Sequence, residues 1–413
     1  MNLIRPFAGL RPAPGRAADV AAPPYDVLST EEARERAGTE RWSFLHISKP
    51  EIDLPPGTDP FSPAVYAKSA ENLQEMLAQG VLVRDDVPCL YVYRLVADGV
   101  VQTGVVAAAS IADYDTNRIR KHEFTRPDKE DDRVRQIQAL NAQTGPVLLA
   151  YPDNGQVDSI LADIARGEPD SDVTAQDGVR HSIWVIRDEG VIGRLVTLFD
   201  AMPALYIADG HHRSAAASRV AASRREGQSG HRGDEDYNHF LAVAFPQHEM
   251  HILPYNRAVR DLNGMSSEQL LARIGERFDI TSSSVPVEPA CARRFGLYLE
   301  GSWYELAIRP ELVRDDDPIA RLDVSLLADN LLAPLLGIND PRRDSRIEFI
   351  GGIRGLSELE RRVDSGQMAC AFSLFATSIE DLMAVADAHQ VMPPKSTWFE
   401  PKLADGLVSL PLG

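Results

Sequence analysis

The stretch ALYIADGHHRSAAASRV, residues 204–220, constrains the fold more than any other. Residues 204–208 are apolar and read as a short buried strand. An Asp-Gly pair then turns the chain, and the alanine-rich run after it reads as a helix over 214–225. A strand that hands over to a helix through glycine belongs to a layered architecture in which helices cover a sheet, not to a bundle or a sandwich. The junction also carries two adjacent histidines and an arginine. The first amides of a helix lack intrahelical acceptors and sit at the positive end of its dipole, so they attract anions. Gly210 lets the backbone approach a ligand, and Arg213 offers a two-pronged fork for phosphate oxygens. Asp209, Gly210, His211, His212 and Arg213 therefore form a candidate phosphate cradle. The same residues also read as a plain glycine turn capped by Asp209, or as a metal site built from Asp209, His211 and His212.

Elsewhere the chain mixes hairpins with strand–helix alternation. Ser29 or Thr30 caps a helix over 31–37, with Glu32 placed for a capping box, and 64–79 is an amphipathic helix stopped by Gly80. Strands 89–96 and 101–114 flank an Asp98-Gly99 hairpin turn, and 293–309 forms a second hairpin around Glu300-Gly301. Residues 129–141 read as a charged helix, 239–245 and 250–255 as strands, and 323–336 as an apolar helix. The expected class is α/β in the broad sense, mixed α+β. A chain of 413 residues suggests two or three domains. The polar, glycine-rich 226–237 stretch marks the boundary, giving domains 1–230 and 236–413.

Composition narrows the function. The formal charge of −18 speaks against a broad surface for nucleic acid while leaving room for a small positive pocket. Three cysteines, Cys89, Cys291 and Cys370, form no CxxC pair, so a disulfide scaffold is not expected and a reducing, cytoplasmic setting is. The proline-broken start does not read as a secretory signal, and no apolar run approaches the ~20 residues a membrane helix needs. A homo-oligomer stays open.

Three further clusters carry chemistry. IRKHEFTRPDKEDDR (119–133) follows a long apolar strand. Lys121 and Arg126 suit phosphate contact, and Glu123, with His122 beside it, suits proton transfer. Its acidic end also reads as a solvated helix face. MPPKSTWFEPKL (392–403) offers Lys395, Ser396, Thr397 and Lys402 in a proline-stiffened loop, without the glycines of a Walker A motif. AAPPYDVLS (21–29) sets Tyr25 and Asp26 after two prolines, as a site wall or as a capped turn.

Taken in order, AAPPYDVL, FLHIS, KHEFTRPDKEDDR, NAQTGPV, YIADGHHRSAAA and MPPKSTWFEPK resemble a large bacterial family known only as a domain of unknown function. The DGHHR turn is similar to the phosphate-binding turn of the ParB and sulfiredoxin superfamily, which includes the free serine kinases. The resemblance implies a ParB-like core over 1–230, a second α/β domain over 236–413 that contributes the Lys-Ser-Thr loop, and a site in the cleft between them. It implies phosphorylation of free L-serine to O-phosphoserine, with Mg²⁺ and a donor that is ATP, ADP or pyrophosphate. The turn would hold the donor, and Lys121, Arg126 and Lys395 would neutralise the transferred oxygens. Glu123 would take the hydroxyl proton, with Asp26 as the alternate base. A nucleotide-binding or DNA-partitioning relative and a metal-dependent hydrolase are the competing readings. The acidic balance and the lack of a helix-turn-helix pattern weigh against DNA.

Overall fold

The structure is a computed structural model that describes residues 2–227 and 230–413. Two compact units emerge: Met1–Met250 with Pro401–Gly413, and His251–Glu400. The boundary expected near 226–237 is not where they divide. Residues 228 and 229 of that polar stretch lie outside the described residues. The strand that follows it, His239–Pro246, is fully buried and pairs with two strands of the first unit, so the polar stretch is an internal connection.

The first unit is built on a nine-stranded sheet. Its strands are β1 (Ile4–Arg5), β2 (Leu90–Ala97), β3 (Val100–Ser110), β4 (Ile119–Arg120), β5 (Val147–Tyr151), β6 (Ser171–Thr174), β7 (Arg180–Ile186), β8 (Leu205–Asp209) and β9 (His239–Pro246). They lie in the order β4-β8-β5-β9-β3-β2-β7-β6, with β1 pairing onto β3. The β2–β3 hairpin turns on Asp98 and Gly99, both at positive φ (48° and 81°), which suits the tight twisted turn such a pair favours. The sheet is mixed: β8 runs parallel to β4 and antiparallel to β5, and β9 runs parallel to β5 and antiparallel to β3. β5 and β9 are buried throughout, as their near-continuous Val, Leu, Ala and Phe runs require of central strands.

Six helices of eight residues or more accompany these strands among the described residues: α1 (Thr30–Ala37), α2 (Pro63–Ala78), α3 (Pro127–Leu140), α4 (Gly155–Ile164), α5 (Glu189–Asp200) and α6 (His211–Gly227). The Ser29–Glu32 capping box at the head of α1 is present. α3 opens on Pro127, whose missing N–H costs nothing at that position, and packs against both α2 and α6. α6 presents Ala215, Ala216, Ala217 and Ala221 as buried residues, so it can seat closely.

The last thirteen residues, 401–413, are part of this unit. Leu410–Pro411 pairs with Ala142–Gln143, Ser409 bridges to Leu10, and Asp405 exchanges backbone bonds with Ala22 at 2.8 and 3.2 Å. Leu403, Leu407, Leu410 and Leu412 are each 6 % exposed or less.

The second unit carries a six-stranded antiparallel sheet. Its strands are β10 (Tyr255–Val259), β11 (Phe278–Ser283), β12 (Arg294–Leu299), β13 (Ser302–Ile308), β14 (Ile347–Gly351) and β15 (Cys370–Leu374), in the order β11-β13-β12-β15-β10-β14. Glu300 and Gly301 form the expected β12–β13 turn. The helix expected over 323–336 is shorter: an α-turn over Asp323–Leu327 widens into a π segment over Ala328–Leu332. No helix among the described residues is long and apolar enough to cross a membrane.

Deleting residues 401–413 removes four buried leucines, worth about 6–12 kcal/mol of transfer free energy. That is comparable to the whole stability of a typical domain. A chain ending at residue 400 is expected to show loss of amide-exchange protection in β3, β5 and β9.

Candidate functional site

β8 ends on Asp209, and the next residue makes the turn. Gly210 has φ +97°, and a Cβ there would lie 3.2 Å from the Val147 Cα on the neighbouring strand. Both the torsion and the space call for glycine. The Gly210 carbonyl accepts from the amides of Arg213 (2.9 Å) and Ser214 (3.0 Å), so α6 starts at His211, three residues before the alanine pattern indicates. The amides of His211 and His212 therefore open the helix, where no intrahelical acceptor is available.

Asp209 is held on both oxygens. Oδ1 accepts from the Gly210 amide at 2.7 Å, and Oδ2 accepts from Lys402 Nζ at 3.0 Å. Burial works to raise the carboxyl's pKa, but Lys402 and Arg213 outweigh it and hold it well below the usual range. Lys402 thus reaches the turn from 193 residues away, and part of its charge is spent on Asp209.

Arg213 leaves the first turn of α6 toward the 21–29 segment. Nη1 donates to the Pro146 carbonyl and Nη2 to Asp26 Oδ2, both at 2.8 Å. Burial opposes its charge, yet Asp26, Tyr25, Asp209 and Asp405 together keep it firmly protonated. Two guanidiniums approach the Tyr25 ring, with Arg133 3.9 Å and Arg213 5.4 Å from its centroid. Arg133 is itself held by Asp132 (2.6 and 2.8 Å). Tyr25 and Asp26 thus both meet Arg213, the ring by its face and the carboxylate by a hydrogen bond.

These groups line a cavity of ≈ 30 Å³ together with Gln143, Thr144, Gly145 and Asp405. Asp405 is 2 % exposed. Burial pushes its carboxyl up to about 7 against the pull of Arg213, while Asp26 raises it further. Two buried atoms here, Arg213 Nε and Asp405 Oδ1, have no hydrogen-bond partner among the described residues. Both lie where Gly145 lacks a side chain: a Cβ there would be 3.5 Å from Arg213 Nε and 3.6 Å from Asp405 Oδ1. A polar pair left unsatisfied around an open space is the mark of a site that receives a small polar group.

The histidines do not face this cavity. His212 Nε2 accepts from the Arg126 amide at 3.0 Å and so braces the start of α3. His211, 4 % exposed, meets His122 edge to face with ring centroids 4.5 Å apart. Its Nδ1 lies 3.6 Å from Glu123 Oε2. Burial holds both rings neutral, His122 down to about 4 and His211 well below its ordinary value, where the nearby His122 adds to the effect. The alternative reading of Asp209, His211 and His212 as a metal set finds no support in the geometry, because Lys402 and Gly210 occupy Asp209 and Arg126 engages His212.

Two residues expected at the phosphate are committed elsewhere. Lys121 Nζ donates to the Tyr114 carbonyl at 3.0 Å and sits 4.0 Å from that ring's centroid. Arg126 is exposed and forks onto Asp128 (2.8 and 3.2 Å). A lysine beside an aromatic ring, and an arginine two residues from an aspartate, find local partners first.

The Lys-Ser-Thr loop belongs to the second unit. Lys395 adopts φ +56°, its carbonyl accepts from Arg257 Nη2 at 3.0 Å, and its ammonium lies 5.4 Å from the Tyr255 ring centroid. Ser396 is buried, its hydroxyl donating to the Pro393 carbonyl at 2.6 Å. It closes the proline turn, so its one hydroxyl proton is engaged within the loop. Thr397 follows at the head of the short Trp398–Phe399 strand.

Of the residues lining the cavity, Asp405 is absent from the motifs read in the sequence, and Gln143, Thr144 and Gly145 appear there only within NAQTGPV, with no role attached. The available signal for Asp405 was an acidic residue in the apolar run LADGLVSLPL, where an unpaired charge is costly.

Residues 4–325 match a family described as "Protein of unknown function (DUF1015)". The chain belongs to the DUF1015 family. No curated protein matches the sequence. Among solved structures, a free serine kinase variant in complex with ADP is similar over 74 % of this chain and 92 % of its own, at 14 % identity and a TM-score of 0.34. A free serine kinase in complex with AMP is similar over the same shares, at 15 % identity and 0.33. C-terminally truncated SbnI from Staphylococcus aureus is similar over 73 % and 85 %, at 11 % identity and 0.37.

Asp405 gives the site a pH signature. An unfolded aspartate titrates near ~3.9, and the folded one near 7. Between those values the folded chain binds more protons, so this group's contribution to stability is present at low pH and is lost as pH rises toward 7. Asp405→Asn should remove that component. The urea midpoint of the wild type, measured against the variant's, is expected to fall between pH 4 and 7, and parallel curves would contradict it.

Proposed function

We propose that this DUF1015 protein is a phosphotransferase that moves a phosphoryl group to the hydroxyl of free L-serine, giving O-phosphoserine. The observation that carries the reading is Arg213: it links the helix-opening turn at Gly210 to the cavity that holds Asp405. Phosphoryl transfer is mostly positioning and charge stabilisation, and such a link puts a fixed positive charge between donor and acceptor. The family resemblance in the sequence supports the same reaction class.

The donor's phosphate sits at the amides of His211 and His212, with Lys402 and Arg213 as the nearby cations. A volume of ≈ 30 Å³ takes two water-sized groups. That matches the hydroxymethyl end of serine, with its oxygen toward Asp405. Of the carboxylates, Asp26 is engaged by Arg213, whereas Asp405 is poised near neutrality, where a general base works best. Asp405 thus takes the proton role first assigned to Glu123. Mg²⁺ would accompany the donor's phosphates, since it keeps most of its water and few protein ligands. The exposed carboxylate of Asp26 is the one at hand to share it. The donor is ATP, ADP or pyrophosphate.

Incubation with L-serine, Mg²⁺ and each donor in turn, read by phosphorus NMR, is expected to yield phosphoserine with at least one of them. No product with any donor would end the reading. Asp405→Asn should keep donor affinity and lose turnover by about 10²-fold or more. Near-normal turnover would remove Asp405 from the base role.

A further inference from the structure

On the far side of the Gly210 turn, three side chains have no part in the transfer described above. His122, Glu123 and His211 each bring one ligating atom to within 4.8 Å of the others. We propose that these three residues bind a divalent transition-metal ion. His122 is 2 % exposed, and its Nδ1 has no hydrogen-bond partner among the described residues. The same ring donates to the Ile207 carbonyl, which fixes the tautomer and leaves Nδ1 with its lone pair. A backbone carbonyl that orients an imidazole this way is the usual outer support of a metal-bound histidine. A buried imidazole nitrogen with nothing to accept is a polar atom without its partner, and a cation supplies one.

The donor set sorts the ions. His211 Nε2 accepts only a long contact from the His122 amide, 3.4 Å, which a metal ion would displace; two neutral imidazoles and one carboxylate then favour Mn²⁺, Fe²⁺, Co²⁺ or Zn²⁺ over Mg²⁺ or Ca²⁺, which prefer all-oxygen shells. Ring centroids 4.5 Å apart at 88° suit two histidines on adjacent positions of one ion. Glu123 is exposed, and one of its carboxylate oxygens already lies within 4.8 Å of a ligating nitrogen of each histidine. Asp209 adds negative charge near both rings, and Lys121 opposes it at His211. Three protein ligands leave coordination positions for water or an anionic oxygen.

This site goes beyond the phosphotransferase reading and stands apart from it in test. Full-length protein stripped with chelator is titrated with Zn²⁺, Mn²⁺, Co²⁺ and Mg²⁺ by calorimetry, and the Co²⁺ form is examined by visible absorption. The expected result is one ion per chain, with Zn²⁺ or Co²⁺ at least 100-fold tighter than Mg²⁺ and a Co²⁺ ligand-field band. His122→Ala and Glu123→Gln should each weaken binding tenfold or more, with far-UV circular dichroism confirming the fold. His212→Ala, outside the set, should leave it unchanged. If His122→Ala does not fold, Glu123→Gln alone decides, since its side chain lies at the surface. No stoichiometric binding to the wild type, or equal binding by Glu123→Gln, would overturn the proposal. Metal binding without phosphoserine formation would leave this site standing and remove the phosphotransferase; phosphoserine without metal binding would do the reverse.

Discussion

Arg213 is a cation placed where a cation is expensive. Its guanidinium leaves a buried helix start and is kept charged by Asp26, Asp405, Tyr25 and the Pro146 carbonyl. Removing a charge from water costs several kcal/mol unless partners replace the lost hydration. Four parts of the chain meet that requirement: the 21–29 segment, the loop at 143–146, α6 itself and the C-terminal tail. The closeness of these parts, and the cavity between them, follow from having to surround one buried charge. The pair of atoms left unsatisfied, Arg213 Nε and Asp405 Oδ1, is where that enclosure stays open.

The tail's second attachment is electrostatic too. Lys402 and Asp209 join the C-terminal segment to the end of β8, and the carboxyl's depressed pKa is the thermodynamic trace of that contact. Leucines at 403, 407, 410 and 412 hold the segment down by burial, while Lys402 and Asp405 face the site. One stretch thus both closes the unit and brings two charged side chains to Asp209 and Arg213. The Gly210 turn divides what lies around it. Arg213 goes toward Asp26 and Asp405, and His211 goes toward His122 and Glu123. Successive residues in the first turn of a helix point about 100° apart, so His211 and Arg213 cannot serve the same side.

Much of the fold was legible. The β2–β3 and β12–β13 hairpins announce themselves through Asp98-Gly99 and Glu300-Gly301, because those pairs tolerate the positive φ the turns need. The capping box at Ser29 was legible for a similar reason: its bonds are local. The start of α6 was misplaced because the cap is the Gly210 carbonyl, which no side chain signals. The domain boundary was misplaced because a polar, glycine-rich stretch looks the same whether it joins two units or two strands of one sheet.

The sequence by itself determined the strand–glycine–helix turn and the membership in a family. Those are local or order-dependent properties, written in short runs of residues. Only the tertiary structure decided partners. Lys121 turns to Tyr114 and Arg126 to Asp128, while Lys402 crosses 193 residues to Asp209 and Asp405 settles beside Arg213. A charged side chain's role is set by whichever counter-charge lies within a few ångströms. That distance belongs to the folded packing and is absent from spacing along the chain.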